Sequence, residues 1–474
     1  MSETKRASND FLKISMDEKR FLELMTRVIP LSKEVQNDPA SGLIPKEGLV
    51  VAELEKTLSP YLKKNGGVLE MAVHSFAEGR SNVILTCPGR YHNDKSKRKS
   101  VTLAGSHLDV VPVDLELWNV PPFKLTRKGD LLYGRGTTDC LGHVCLVTDF
   151  MCSVAKQCME NGNKPVTNSD VVAVFIASEE NGSSVNKGVG IDGLDKRGLL
   201  DHLKEGSLLW VDCADSKPCM ATAGALQWTL KVEGRKSHSG LPHVGINPIE
   251  LGLQAVKYMQ DRFYKDFKAK PEAKEYNFPI ASTMKPTQFK CAPGAINQIP
   301  PWVEIKGDIR LTPFYDCFEC MNTVDTYVKD LNDGAMEKLP CHGPFSKYSI
   351  EVPSDTTPGK TDRIKGKLTL TFLDRKQPMR GMYCNLKSAG FKALKSSISE
   401  IKGSVQCESL TGSLPLVQDM KEAGFDLQMV GFGMASKYHR PNEACKLSDM
   451  VNATKVLSGF VSKVDQDLFK SCSI

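Results

Sequence analysis

The chain has 474 residues, of which 41% are hydrophobic and 25% charged, and a formal net charge of +6. This composition excludes intrinsic disorder, which goes with low hydrophobicity and high net charge, and no apolar run reaches the roughly 18 residues of a membrane span. The charge is too mild for this length to make nucleic acid the main partner, and at about 100–200 residues per domain the length allows two to four domains.

The first twenty residues are polar and lack the apolar core of a secretory signal, so a cytoplasmic chain is expected. An apolar stripe of Phe21, Leu22, Met25, Val28 and Ile29 predicts a helix over 16–34, and a second helix follows over 49–61. Residues 82–86 and 100–106 read as buried strands. The basic run Lys95-Ser-Lys-Arg-Lys99 between them reads as a solvated loop. A helix is predicted over 139–160, with Val144, Val147, Phe150, Met151 and Val154 along one side. Residues 171–177 and 207–211 are further apolar runs of strand length. Alternation of this kind predicts an α/β domain with a largely parallel sheet.

The texture changes near Thr222. Residues 226–233 alternate, 247–267 form an amphipathic helix, 282–290 and 303–311 alternate, a helix starts at Cys317, and 367–373 alternate again. This βαββαβ order predicts a small α+β module with an antiparallel sheet and two helices on one face. From about Asn385 the α/β texture returns. The expected division is therefore 1–220 and 381–474 for one catalytic domain, with 221–380 inserted. The 15 cysteines are odd in number and irregular in spacing, which reads as reduced thiols. Cys317-Phe-Glu-Cys320 lacks the second pair that a zinc ribbon needs. The terminal Ser-Cys-Ser-Ile is not a prenylation box, because only two residues follow Cys472.

In parallel α/β sheets, sites lie beyond the carboxyl ends of strands. His107-Leu-Asp109 follows the run 101–106, and Gly134-Arg-Gly-Thr-Thr-Asp139 leads into the long helix. Glu179-Glu180 follow the run ending at 178, Asp212 follows 208–211, and His439 with Asn442-Glu443 follows 427–432. Singly, each has a packing or surface alternative: a core histidine at 107, a helix N-cap at Asp139, a loop aspartate at 212 with Asp215 as competitor. Jointly, two histidines and three carboxylates are the ligand inventory of a dinuclear zinc site. Three carboxylates leave one excess positive charge on two divalent cations, which a bound hydroxide neutralises; metal lowers the pKa of its water to about 7. Glu179 is then free to take a proton from that water. Asp109 is placed to bond the other ring nitrogen of His107. Cys140 and Cys213 flank candidate ligands, but no cysteine is needed as one.

His107-x-Asp109-Val-Val-Pro112, Tyr133-Gly-Arg-Gly-Thr-Thr-Asp139, Ser178-Glu-Glu180, Lys236-Ser-His238-Ser-Gly240 and His439-x-x-Asn-Glu443 resemble the signatures of the M20 metallopeptidase family, in order along nearly the whole chain. The resemblance implies a phosphorylase/hydrolase-like α/β catalytic domain with an inserted lid and dimerisation domain, and hence a homodimer. It implies His107 and Asp212 on one metal, Glu180 and His439 on the other, and Asp139 between two zinc or cobalt ions. Glu179 would be the general acid/base. His238 would stabilise the oxyanion in the partner's site, Arg310 would grip the substrate carboxylate, and Asn297 with Gly412-Ser413 would position the substrate. The peptide after Asp139 is cis in the family. The usual Asp-x-x-Gly-Gly segment is Asp139-Cys-Leu-Gly142-His143 here, with His143 read as a helix-face histidine.

Longer strings, such as Gly136-Thr-Thr-Asp-Cys-Leu-Gly-His143 and Asp308-Ile-Arg-Leu-Thr-Pro-Phe-Tyr-Asp316, resemble the plant-type acetylornithine deacetylases within that family. They imply hydrolysis of an N-acyl amino acid, N2-acetyl-L-ornithine, to L-ornithine and acetate, a step of arginine biosynthesis. A dipeptidase, carboxypeptidase or aminoacylase would use the same metals, glutamate and arginine. A non-catalytic relative would lack a ligand or the base, and every one of these residues is present.

Overall fold

The computed structural model describes residues 12–181, 187–340, 348–354, 359–414 and 416–470. The first eleven residues and the Ser-Cys-Ser-Ile end lie outside them. The chain forms two compact units, one from Met1–Met220, Cys384–Glu408 and Pro415–Ile474, the other from Ala221–Tyr383 and Ser409–Leu414. Gly412 and Ser413 thus belong with the inserted unit rather than the catalytic one.

The first unit is built on a mixed sheet. Its centre is parallel, in the order Asp170–Phe175, Ser100–Ala104, Gly206–Val211, Asp426–Val430. Arg80–Cys87 pairs antiparallel with Asp170–Phe175, and Glu70–Ala77 pairs antiparallel with Arg80–Cys87 at the edge. The expected largely parallel sheet is corrected accordingly. The edge strand escapes a reading of apolar runs because its residues are only half-buried or exposed. A two-residue loop, Glu78-Gly79, closes this hairpin, with Gly79 in left-handed backbone at φ 72°. By contrast, every residue of Ser100–Ala104 and Asp170–Phe175 is buried, as expected of strands covered on both faces.

The helix Leu141–Glu160 is buried along most of its circumference and packs against Glu18–Val28 and Leu447–Phe469. Glu18–Val28 is shorter than its apolar stripe. Asp17 caps its start by accepting from the Arg20 N–H, and Pro30, which has no N–H to donate, turns the continuation into the 3-10 segment Ile29–Lys33. The basic run is only partly solvated: Arg98 Nε donates to Asp170 Oδ2 at 2.8 Å, and Lys99 lies over the Phe469 ring.

The second unit carries a four-stranded antiparallel sheet in the order Thr283–Cys291, Trp302–Leu311, Gly224–Glu233, Lys367–Phe372. Gly224–Glu233 alternates buried with less buried positions, the mark of a sheet covered on one face. Pro248–Asp266 and Cys317–Asn332 supply the cover through Leu251, Met259, Phe263, Met321, Val324 and Tyr327. A hairpin of Ser349–Pro353 and Thr361–Lys365 is added to the expected βαββαβ order. Cys317 and Cys320 are buried free thiols in this core.

Candidate metal centre

Three neighbouring parallel strands end at one place in the first unit. The chain passes from Ser100–Ala104 to His107 and Asp109, from Asp170–Phe175 to Glu179 and Glu180, and from Gly206–Val211 directly to Asp212. Asp139 comes from the turn before Leu141–Glu160, and His439 from the loop after Asp426–Val430. A Cβ at Gly142 would lie 2.0 Å from the Thr137 carbonyl oxygen, so only glycine lets the helix start this close to the turn. The helix is capped by Cys140, not Asp139, and the Asp139–Cys140 peptide is cis.

The two oxygens of Asp139 face different imidazoles. Oδ1 lies 3.0 Å from His107 Nε2, and Oδ2 lies 2.9 Å from His439 Nε2. Glu180 Oε2 is 3.1 Å from the same His439 nitrogen. Asp212 Oδ1 and Glu179 Oε2 stand 4.0 Å and 3.9 Å from His107 Nε2. Asp215 lies apart: it accepts from the Ala435 N–H at 3.1 Å and pairs with Lys217 at 3.6 Å.

Asp109 does more than face its histidine. Its Oδ1 accepts from the Glu179 N–H and its Oδ2 from the Glu180 N–H, each at 3.0 Å, while Asn37 Nδ2 donates to Oδ2 at 2.7 Å. His107 Nδ1 lies 2.9 Å from the Asp109 carbonyl oxygen and 3.4 Å from its carboxylate. The expected carboxylate partner of the ring is thus mainly a backbone carbonyl. That carbonyl can only accept, so Nδ1 carries a proton, and Nε2 is the ring atom turned toward the cluster.

Sequence reasoning left four supports unassigned, Asn37 beside Asp109 and three more. Buried Glu443 accepts from the Thr138 N–H (2.8 Å), the Asp139 N–H (2.9 Å), the Gly136 N–H (3.0 Å) and Arg135 Nη1 (2.8 Å), and so holds the turn that presents Asp139. The Tyr438 hydroxyl donates to the Cys213 carbonyl at 3.0 Å and lies 3.4 Å from Asp212 Oδ1. Glu47, in a buried ion pair with Arg80, accepts from the Ser178 N–H at 3.2 Å. Ser178 and His439 both adopt left-handed backbone, φ 64° and 54°, which non-glycine residues hold only where the surroundings enforce it. Glu443 was visible as part of the His439-x-x-Asn-Glu string. Asn37 sits in no motif.

The cluster attracts positive charge. Burial and the Asp139 charge push Glu180 up to about 8, and burial pushes Asp212 up to about 6. Burial and the neighbouring carboxylates raise Glu179 well above the usual carboxyl range. Asp139 is buried too, yet hydrogen bonds from both imidazoles hold it well below the usual range. His439 is raised to about 10 by its bonds to Asp139 and Glu180. Glu180 Oε1 is buried with no hydrogen-bond partner among the described residues. The ligand atoms of His107, Asp139 and Glu180 lie within 4.8 Å of one another, as do those of His107, Cys140 and Asp212. A set of carboxylate oxygens and imidazole nitrogens, buried except for the exposed His439 and with one unsatisfied oxygen, fits divalent cations.

His143 is buried rather than on an open helix face. Its Nε2 accepts from the Phe432 N–H at 2.8 Å, and burial pushes its pKa down to about 4. The other expected residues belong to the second unit. His238 is exposed, and its Nδ1 accepts from the Gly240 N–H at 3.0 Å. The Asn297 carbonyl accepts from the Ser239 N–H at 2.9 Å. Arg310 Nε donates to Asp308 Oδ2 at 2.8 Å, and the Gly412 carbonyl accepts from the Ala223 N–H at 3.0 Å, next to Ser413.

Fold and cluster together place the protein among metal-dependent hydrolases. The chain belongs to peptidase family M20/M25/M40, whose profile matches residues 103–463. It is 42% identical to the acetylornithine deacetylase of Arabidopsis thaliana over 95% of this chain and 97% of that one. It is also 42% identical to the acetylornithine deacetylase of Dictyostelium discoideum, over 95% and 98%. The fold is shared with an M20 family metallo-carboxypeptidase from Sulfolobus solfataricus at a TM-score of 0.63 and 17% identity, covering 94% of this chain and 99% of that one. Among the described residues no helix is long and apolar enough to cross a membrane.

Proposed function

We propose that this protein hydrolyses N2-acetyl-L-ornithine to L-ornithine and acetate. The observation that carries the substrate is 42% identity to two acetylornithine deacetylases over 95% of the chain. The buried cluster supports the reaction type. His107 and Asp212 would hold one cation, His439 and Glu180 a second, and Asp139 would face both through its two oxygens. Zinc suits this mixture of imidazole and carboxylate, with cobalt as a close substitute. When bound, such ions activate water near neutral pH and polarise the amide carbonyl.

The protein's own groups do the rest. Glu179 takes a proton from the attacking water and delivers it to the leaving nitrogen, so that the amine departs neutral. Asp109 keeps Glu179 in place by accepting from its N–H. Arg310 grips the substrate carboxylate with its fork, after giving up Asp308, and His238 stabilises the oxyanion in the partner's site. Asn297, Gly412 and Ser413 orient the substrate. Dimerisation through the inserted unit and a cytoplasmic location complete this reading.

A panel of acetylornithine, acetylmethionine, succinyl-diaminopimelate and short dipeptides tests it. Acetylornithine should be hydrolysed with the highest kcat/KM; turnover of dipeptides without acetylornithine would overturn the assignment. Glu179→Gln should keep its metal content and lose nearly all turnover, and unchanged turnover would remove Glu179 as the base.

A further inference from the structure

Cys140 stands apart from the other buried thiols of the first unit. Cys145 and Cys152, one and three turns along the same helix, sit in the apolar core. Cys140 is fully buried, yet its surroundings are polar. Its Sγ and the ligand atoms of His107 and Asp212 all lie within 4.8 Å of one another. A sulfur placed only for packing has no need of an imidazole and a carboxylate beside it.

The tautomer of His143 sharpens this. The Phe432 amide can only donate, and it donates to His143 Nε2 at 2.8 Å. A neutral ring then carries its proton on Nδ1, which lies 3.5 Å from Cys140 Sγ. The imidazole N–H is thus within reach of the sulfur, beside the Thr138 carbonyl that it also bonds, and can support an anionic ligand atom from outside.

We propose that Cys140 is a ligand of the cation held by His107 and Asp212, with its sulfur hydrogen-bonded by His143. As the Sγ–metal bond forms, the thiol proton leaves to solvent. This departs from the sequence-based expectation that no cysteine is needed as a ligand. The consequence is selectivity: thiolate favours zinc or cobalt over magnesium or manganese, which prefer oxygen-only sites. The inference rests on the metal site proposed above and adds one ligand to it.

Cobalt(II) reads the ligand directly. Full-length metal-free protein is titrated with cobalt chloride, bound metal is counted by elemental analysis, and the visible and near-ultraviolet spectra are recorded. The expected result is visible d–d absorption together with a near-ultraviolet sulfur-to-cobalt charge-transfer band. That band should disappear in Cys140→Ser and in Cys140→Ala but persist in Cys213→Ser, with the variants' folding checked by circular dichroism. Bound cobalt without the band overturns the inference while leaving the metal site standing, and so does a band that survives Cys140→Ser. No cobalt uptake at all overturns the metal site, and this ligand with it.

Discussion

A single carboxylate can be a ligand, a clamp or a helix tie, and its surroundings decide which. Asp139 meets two imidazoles, whereas Glu443, four residues after His439, meets three backbone N–H groups and a guanidinium. Both are buried aspartate or glutamate side chains next to the same turn. Glu443→Gln would replace one acceptor oxygen with an NH2 group facing N–H donors and leave Arg135 without its charge partner. The expected cost is about 3–5 kcal/mol of stability, as for a broken buried pair. Metal affinity should fall about 10–100-fold as the Asp139 turn loosens. Urea unfolding and a metal titration measure the two effects, and unchanged values in both would remove Glu443 as the clamp. Motif residues at short spacings, such as His107 with Asp109 and Glu179 with Glu180, were legible in the sequence. Asn37 was not, because it reaches Asp109 across 72 residues from a loop with no pattern of its own.

Elements were legible where burial imposed a period or an apolar run. Leu141–Glu160 and the central strands were, but the half-exposed edge strand Glu70–Ala77 was not. The long helix also carries a charge that its pattern does not explain. Asp149 is buried and accepts from Arg20 Nε at 2.7 Å, while Arg20 Nη2 reaches Ser153 Oγ at 2.7 Å, tying Glu18–Val28 to Leu141–Glu160. Burial pushes the Asp149 carboxyl up to about 6, with Arg20 pulling the other way. A carboxyl whose folded pKa exceeds its unfolded value near 3.9 contributes stability in full below about pH 4 and loses it as the pH rises through 6. Asp149→Asn lacks this dependence. The stability advantage of the unmodified protein over the variant should therefore shrink by up to about 3 kcal/mol between pH 4 and pH 7. Denaturant midpoints at the two pH values test it, and an advantage that grows toward pH 7 would mean that the ion pair outweighs the desolvation.

At the scale of the whole molecule, the candidate site draws on residues from 107 to 439, and the inserted unit interrupts the chain between Asp212 and His439. A cation that binds only the assembled cluster stabilises the fold by mass action, about 2.7 kcal/mol at a free concentration one hundred times its Kd. Zinc added to metal-free protein should raise its unfolding temperature. His107→Ala and His439→Ala should each lose most of that gain, along with bound metal in elemental analysis. A full gain retained in both would place the metal elsewhere.

The sequence by itself determined the α/β class, the inserted α+β module, the family and the identity of the residues gathered at the strand ends. These follow from local periodicity and from short motifs, which need no knowledge of distant neighbours. Only the tertiary structure decided that Asp212 rather than Asp215 joins the cluster, that Asp109 holds the Glu179-Glu180 turn, that the sheet is antiparallel toward both edges, and that Cys140 faces His107 and Asp212. Each of these depends on which side chains meet across long stretches of chain, and hydrogen bonds and burial choose those partners only once the strands have assembled.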